Sequence, residues 1–386
     1  MRSLLIFLLI VLVALAGGYF FIKNKLGINP QVAVSLLNPP QTEVIKLGPQ
    51  GEDLPFPLTV PEGYHIGVFA RLEGALPRVL AIDPAGVLFA SVPARGRILA
   101  FPDKDKDGIA DSVKTILSGL NSPHGITFLE DNLYVAETDR VVKYEYDQES
   151  YLTGRQETLF TLPGGGRHFS RTIRIIGGKL YTSVGSSCDT CREGDEKRAA
   201  LLVSDLDGKN LRVFAKGLRN TVFFTQGEGG AIWGTDMGRD FLGDSLPPED
   251  INIIEDGKDY GWPFCYGDKI RDSKFEPGQN LDYCSGTTPP VFSLPAHVAP
   301  LGLTFMEGDL LVSLHGSWNS STPVGYKVVR LNVEGRNVSN MEDFITGFIN
   351  GSSVSGRPVD LIVDGDGRLF VSDDKAGLIY VVTKAE

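Results

Sequence analysis

Six times along this chain, a turn ending in Gly or Asn leads into a β-rich run that closes on a small residue. The runs are Leu88-Phe89-Ala90-Ser91, Leu133-Tyr134-Val135-Ala136, Leu180-Tyr181-Thr182-Ser183, Ile232-Trp233-Gly234-Thr235, Leu310-Leu311-Val312-Ser313 and Leu369-Phe370-Val371-Ser372. Successive runs start 45, 47, 52, 78 and 59 residues apart. Repeats of about 40–50 residues, each a four-stranded antiparallel sheet, build a β-propeller. A second β-branched or aromatic stretch precedes each run, at residues 79–82, 125–128, 172–175, 222–225, 302–305 and 359–363, so each pair reads as a hairpin. Few residues follow the last run, enough for a third strand but hardly a fourth. Residues 64–70 can supply that strand and close the ring without leaving exposed edges. The expected fold is an all-β, six-bladed propeller over residues 56–386, with an insertion at about 239–300. Seven blades is the alternative, because the longest gap has room for another hairpin.

The other segments carry different signals. Residues 4–22 hold no charge and are flanked by Arg2 and by Lys23 and Lys25. That is the length of a membrane anchor, with a cleaved signal peptide ending near Ala14-Leu15-Ala16 as the rival reading. Both readings place the propeller outside the cytoplasm, in a periplasm, at a cell surface or secreted. Residues 1–25 are thus read as anchor or signal, and residues 26–55 as a tether. A net charge of −11 without a basic stretch argues against nucleic acid as a partner. Four cysteines suit an exported protein. The local pairing Cys188 with Cys191 and Cys265 with Cys284 is favoured among three open connectivities, with a redox pair or a thiolate zinc site as rivals.

Propeller topology says which distant residues meet. The loop before each first strand and the loop after each second strand open on the same face. Arg78, Arg171, Arg219, Arg239, Arg357 and Lys375, with His124, His168 and His315, are therefore expected around one axial funnel. Guanidinium groups suit bidentate binding of carboxylates, and an imidazole nearby suits proton transfer near neutral pH. A salt-bridged structural rim is the plain alternative. Asp103, Asp105, Asp107 and Asp111, with Gly108 between them, repeat the spacing of a calcium loop, although Lys114 stands where a bidentate Glu would complete it. Such a site would be structural and remote from the funnel.

Gly164-Gly165-Gly166-Arg167-His168-Phe169, Gly217-Leu218-Arg219-Asn220, Pro248-Glu249-Asp250-Ile251-Asn252, Tyr260-Gly261-Trp262-Pro263 and Arg357-Pro358-Val359-Asp360 follow one another along the repeats. In this order they resemble the glucose/sorbosone dehydrogenase family, six-bladed propellers that use pyrroloquinoline quinone. His315-Gly316-Ser317-Trp318-Asn319 and the C-x-x-C loop look closest to its sorbosone dehydrogenase-like branch. The resemblance implies that His168 is the base that takes a proton from a sugar, aldehyde or alcohol substrate while hydride passes to the quinone. It implies that Arg219, Asn220 and Arg357 hold the cofactor. Arg78, Arg239, His315 and Lys375 join them by topology alone. No second redox site is visible, so the electron acceptor is expected to be external.

Two departures stand out. The family holds calcium through carbonyls of a Gly-Pro step, where this chain reads Asp236-Met237-Gly238-Arg239-Asp240. Either Arg239 replaces the charge of the metal, or Asp236 and Asp240 bind one. Ser170-Arg171 replaces a Gly pair after the base and is expected to narrow access. The competing functions are a calcium-dependent propeller lactonase or esterase, and a non-catalytic propeller that binds glycan or protein. Trp262, Tyr266 and Trp318 are candidate sugar platforms.

Overall fold

The computed structural model describes residues 2–37, 54–72, 74–278 and 282–385, with the side chains of residues 2–10, 12 and 24 outside that description. Six four-stranded antiparallel sheets form the body. The first blade runs from Leu80–Ile82 to Lys114–Leu117, the second from Ile126–Leu129 to Leu152–Thr161, and the third from Ile173–Ile176 to Arg212–Lys216. The fourth runs from Phe224–Gln226 to Phe292–Leu294 and the fifth from Pro300–Met306 to Asn337–Ile345. The sixth joins Pro358–Val363, Leu369–Asp373 and Leu378–Lys384 to the N-terminal strand Tyr64–Arg71. Tyr64 lies opposite Lys384 and Arg71 opposite Leu378, so the two ends of the domain share one sheet, as the repeat implied. The longest gap holds the fourth blade's own third strand, Glu249–Ile254, and a small hairpin, Cys265–Tyr266 with Ile270–Arg271. Among the described residues it holds no seventh blade.

The second strand of each blade is the element the sequence displayed most clearly, and its burial explains why. Leu88–Val92, Ile232–Asp236 and Leu369–Asp373 are buried at every position, because each is pressed between neighbouring sheets. The small residue that closes the run has its own role. Ser183 Oγ donates to Val222 O (3.4 Å), Thr235 Oγ1 to Leu301 O (2.8 Å), Ser313 Oγ to Val359 O (2.5 Å) and Ser372 Oγ to Arg78 O (2.6 Å), in each case across to the next blade. Within its own blade the same hydroxyl of Ser372 accepts from Asp360 N (3.0 Å) and that of Ser183 from Thr172 N (3.2 Å). Asp360 adds another tie, its Oδ2 accepting from Leu80 N at 2.8 Å between the sixth and first blades.

Both disulfides form as the spacing favoured, Cys188 with Cys191 and Cys265 with Cys284, which leaves no thiolate for zinc. At the N-terminus lie two helices, Arg2–Leu26 and Pro30–Leu37. Among the described residues no helix is long and apolar enough to cross a membrane, so the expected spanning anchor finds no support there. Most of the expected tether, residues 38–53, lies outside the described residues. Its first part is helical rather than extended, with Val32 only 2% exposed and Ser35 Oγ accepting from Val354 N at 2.8 Å.

Replacing Ser372 with Ala leaves a buried carbonyl and a buried amide without their shared partner. Urea unfolding should show a loss of about 1–3 kcal/mol. An unchanged midpoint would mean that the inter-blade hydroxyl contributes nothing.

Candidate active site

A cavity of about 400 Å³ opens on the face where those loops converge, lined by Arg78, Arg167, His168, Arg219, Asn220 and Arg357, with Glu249, His315 and Trp318 also on its walls. Six of the eight residues expected at the base and cofactor positions meet here. The chemistry of each follows from what its neighbours already occupy.

His168 Nδ1 lies 2.9 Å from Ser186 O and 3.0 Å from Ser186 Oγ. A carbonyl oxygen only accepts, and the hydroxyl already donates to Cys188 O at 2.7 Å, so Nδ1 must carry the proton. Nε2 is left with its lone pair. Burial, followed by the positive charges of Arg219 and Arg167, lowers the imidazole to about 3. At neutral pH it is an unprotonated acceptor. Gly185 makes this arrangement possible: a Cβ there would lie 2.5 Å from Asn220 Oδ1 and 2.8 Å from His168 Cβ.

Arg219 is buried and fully engaged. Its Nε donates to Asp189 O (2.9 Å), Nη1 to Met237 O (3.1 Å) and Nη2 to Asp189 Oδ1 (2.7 Å). Asp189 comes from the disulfide loop, and Asp240 N also donates to its Oδ1 at 2.9 Å. Burial opposes the charge of Asp189, yet that amide and Arg219 hold its carboxyl below the usual range. Asp240 pairs with Arg167 and accepts from Asn319 Nδ2 at 2.8 Å. Asp236 accepts from Arg219 N (3.0 Å), Asn220 N (2.7 Å) and Thr221 Oγ1 (3.0 Å), which fixes the backbone of the Arg219-Asn220 pair. Neither carboxylate is spare for a cation, and among the described residues neither belongs to a group of potential metal ligands. Arg239 does not replace a metal charge at the cavity either. It turns into a side pocket with Trp262 and Tyr266 and pairs with Asp272 at 2.7 Å, while Arg219 takes the Met237 carbonyl.

On the opposite wall, Arg357 donates from Nε to His315 O (3.0 Å) and from Nη2 to Gly316 O (2.6 Å). Among the described residues no carboxylate lies within ion-pair distance of it, unlike Arg78, which pairs with Asp374. Burial lowers the pKa of Arg357, the expected cost of a cation without a close counter-ion. His315 Nε2 faces Asp374 Oδ1 at 2.8 Å. Burial and then Arg357 lower His315 to about 4, so at neutral pH this contact is a neutral N–H donated to a carboxylate. Against the cost of burial, His315 and Arg78 hold the Asp374 carboxyl far below its usual range.

Three expectations fail for clear reasons. Arg171 does not narrow the cavity: it is wholly buried and donates to the carbonyls of His168, Ser170 and Pro163, so it shapes the loop that carries His168. His124 is buried behind the funnel against Thr172. Lys375 stands beside the mouth without lining it, its backbone N bonded to Asp373 Oδ1 at 2.9 Å. Of the candidate platforms, Trp318 alone lines the cavity, 39% exposed and beneath the guanidinium of Arg167. Trp262 is tied to Asp189 O. Glu249 was missed as a site residue: its Oε2 accepts from Gly238 N at 2.6 Å, and burial pushes its carboxyl up to about 8. It presents a protonated acid to the cavity.

The acidic loop sits between the third and fourth strands of the first blade, away from the cavity. Carboxylate oxygens of Asp103, Asp105 and Asp107 lie within 4.8 Å of one another. Asp111 is not part of this group; its Oδ2 accepts from Lys104 N at 2.9 Å.

Comparison with known proteins decides the family. A family model described as TrAA12-like matches residues 58–385. The chain belongs to the TrAA12-like family. It is 30% identical over 360 residues to an uncharacterized protein of Borreliella burgdorferi, covering 86% of this chain and 92% of that one. It is 27% identical to a pyrroloquinoline quinone-dependent pyranose dehydrogenase of Coprinopsis cinerea, covering 85% of this chain and 55% of that one. The solved pyrroloquinoline quinone domain of the Coprinopsis cinerea pyranose dehydrogenase superposes with a TM-score of 0.76 at 24% identity, over 86% of this chain and 98% of that one. A family AA12 structure from Trichoderma reesei, determined with calcium, gives 0.77 at 18% identity, over 89% of this chain and 100% of that one. These matches support the resemblance at the level of the quinone-dependent propellers and do not reach the sorbosone branch.

The depressed imidazole has a consequence for stability. An unfolded His titrates near its ordinary value of about 6.5, so between about 3 and 6.5 the unfolded chain binds a proton that the folded chain refuses. Acidification through that window therefore removes stability, and above it the contribution is constant. His168→Gln deletes this contribution. From about pH 6.5 to about pH 4 the unfolding free energy of the variant should fall less steeply than that of the parent. Parallel slopes would show an imidazole that titrates as in water.

Proposed function

We propose that this protein is a sugar dehydrogenase dependent on pyrroloquinoline quinone, acting outside the cytoplasm with an external electron acceptor. The observation that carries the reading is Arg357: a guanidinium on the cavity wall held by carbonyl oxygens, with no carboxylate in ion-pair contact among the described residues, facing His168 across the space. A polyanionic ligand of tricarboxylate size supplies the missing negative charge. Pyrroloquinoline quinone, when bound, supplies a two-electron acceptor for the hydride of the substrate. Arg357 and Arg78 would hold its carboxylates, and Arg219 and Asn220 would stand at its reacting end. His168 Nε2 takes the hydroxyl proton of the substrate, and Ser186 keeps the ring in the tautomer that can accept it. Trp318 offers an aromatic face for a sugar ring at the mouth. Two disulfides fit an oxidising compartment. The lactonase reading needs carboxylates gathered on a central cation, whereas Asp236 and Asp240 are bonded to amides and arginine.

Calorimetry with pyrroloquinoline quinone, with and without calcium, should show binding in both conditions. Arg357→Ala should weaken it about ten- to hundredfold. His168→Gln should bind the cofactor normally and reduce dye-coupled sugar oxidation by about 10²–10⁴-fold. Failure of the parent protein to bind in either condition would end the proposal.

We also propose a structural calcium ion at Asp103, Asp105 and Asp107. Asp103 Oδ1 is buried without a hydrogen-bond partner although Oδ2 is paired with Arg368, which leaves one oxygen for a cation. Calcium should raise the melting temperature of the parent protein and not that of Asp105→Asn/Asp107→Asn. An equal rise in both would place the ion elsewhere.

A further inference from the structure

The N-terminal segment is fixed to the same loop that walls the cavity. Asn29 is 6% exposed, and its Nδ2 donates to Ser321 O at 3.2 Å. Its Oδ1 caps the helix Pro30–Leu37 by accepting from Gln31 N (3.0 Å) and Val32 N (3.3 Å). Gly27 adopts φ +64°, and a Cβ there would lie 3.3 Å from Asn319 O. Val32 then enters the apolar cluster of the fifth and sixth blades with Ile345, Phe348 and Val354. The turn at residues 27–29 is therefore clamped, and the end of the helix Arg2–Leu26 is held against the propeller.

That end lies at the mouth. Lys23, Lys25, Leu26 and Gly27 share a pocket with Phe241, Asp244, Asn319 and Ser321, and Asn319 also lines the central cavity. One residue separates the helix end from the site. Beside it, Phe241 (49% exposed) meets Trp318 edge to face at 5.8 Å. The helix carries no acidic residue, and its described apolar side chains are uncovered: Leu15 is 67% exposed, Phe20 61% and Phe21 59%.

An uncovered apolar helix, two lysines at its end and the Phe241–Trp318 pair on the adjoining surface match the order of a lipid boundary, hydrocarbon followed by interface and headgroup. The lysines complement anionic headgroups. We propose that this helix buries its apolar side chains in a lipid bilayer, and that the clamp at residues 27–29 turns the mouth of the cavity toward the bilayer surface, with Phe241 and Trp318 at the interface. The inference concerns orientation and does not depend on the reaction proposed above.

The test uses the full chain, whose four cysteines are all bonded, so that single reporter cysteines can be added. Phe241→Cys marks the mouth. Glu334→Cys, at the turn between the third and fourth strands of the fifth blade, marks the opposite face. Each is labelled with an environment-sensitive fluorophore and mixed with phosphatidylglycerol–phosphatidylcholine vesicles carrying a nitroxide quencher in the headgroup region. The chain should float with the vesicles, and the label at 241 should be quenched several-fold more than that at 334. In Asn29→Ala, flotation should persist while the difference between the labels shrinks. Flotation with equal quenching at both positions in the parent would overturn the orientation. Absence of flotation would overturn the lipid contact, and self-association without flotation would assign the helix to a second copy of this chain.

Discussion

A side-chain hydroxyl at the end of the second strand, present in four of the blades as an inter-blade donor, is the contact on which this architecture turns. Sheets pressed face to face have no hydrogen bonds of their own to set their angular position. A side chain that donates across to the next blade supplies that missing direction. Ser183, Thr235, Ser313 and Ser372 do this at the depth where the strands approach the axis. Because each donates to the carbonyl near the start of the next blade, it also positions the loop just before that strand. Arg78 and Arg357 reach the cavity from such loops. The same small residues that build the ring thereby aim the cationic groups at its centre.

The site is organised by an unequal distribution of counter-ions. On one wall, Asp189 and Asp240 bind Arg167 and Arg219 in a closed network. On the other, Asp374 serves Arg78 and His315, and Arg357 holds only carbonyl oxygens. Holding a desolvated cation without a directly paired carboxylate carries a cost. The fold bears that cost at Arg171, behind the loop of His168, and at Arg357, whose guanidinium lines the cavity across from an imidazole that burial keeps unprotonated. Arg357 and the neutral imidazole lower the penalty for bringing in a negative ligand and a hydroxyl to be deprotonated.

Much of this was legible from the chain because propeller periodicity reports geometry. The hairpins, the ring closure by residues 64–71 and the meeting of Arg78, His168, Arg219, Asn220, His315 and Arg357 all follow from strand direction. Side-chain aim does not. Arg171 and Arg239 stand on the expected loops and still turn away, since a loop position fixes a Cα and leaves a long guanidinium several partners to choose from. Asp189 lay hidden inside a motif that reads as cysteine chemistry, and nothing local says that its loop folds over an arginine of the neighbouring blade. Glu249 reads as part of a strand, and burial of its carboxyl is decided by the insertion packed around it.

Closing the last sheet with the strand Tyr64–Arg71 has a temporal consequence. Its partner, Leu378–Lys384, is the last of the propeller's strands to be made, so the ring stays open until the whole domain has been synthesised. Until then Tyr64–Arg71 must wait with an unpaired edge, the condition in which strands find wrong neighbours. Closure of the ring by this pairing is thus the step that relieves the exposed edge.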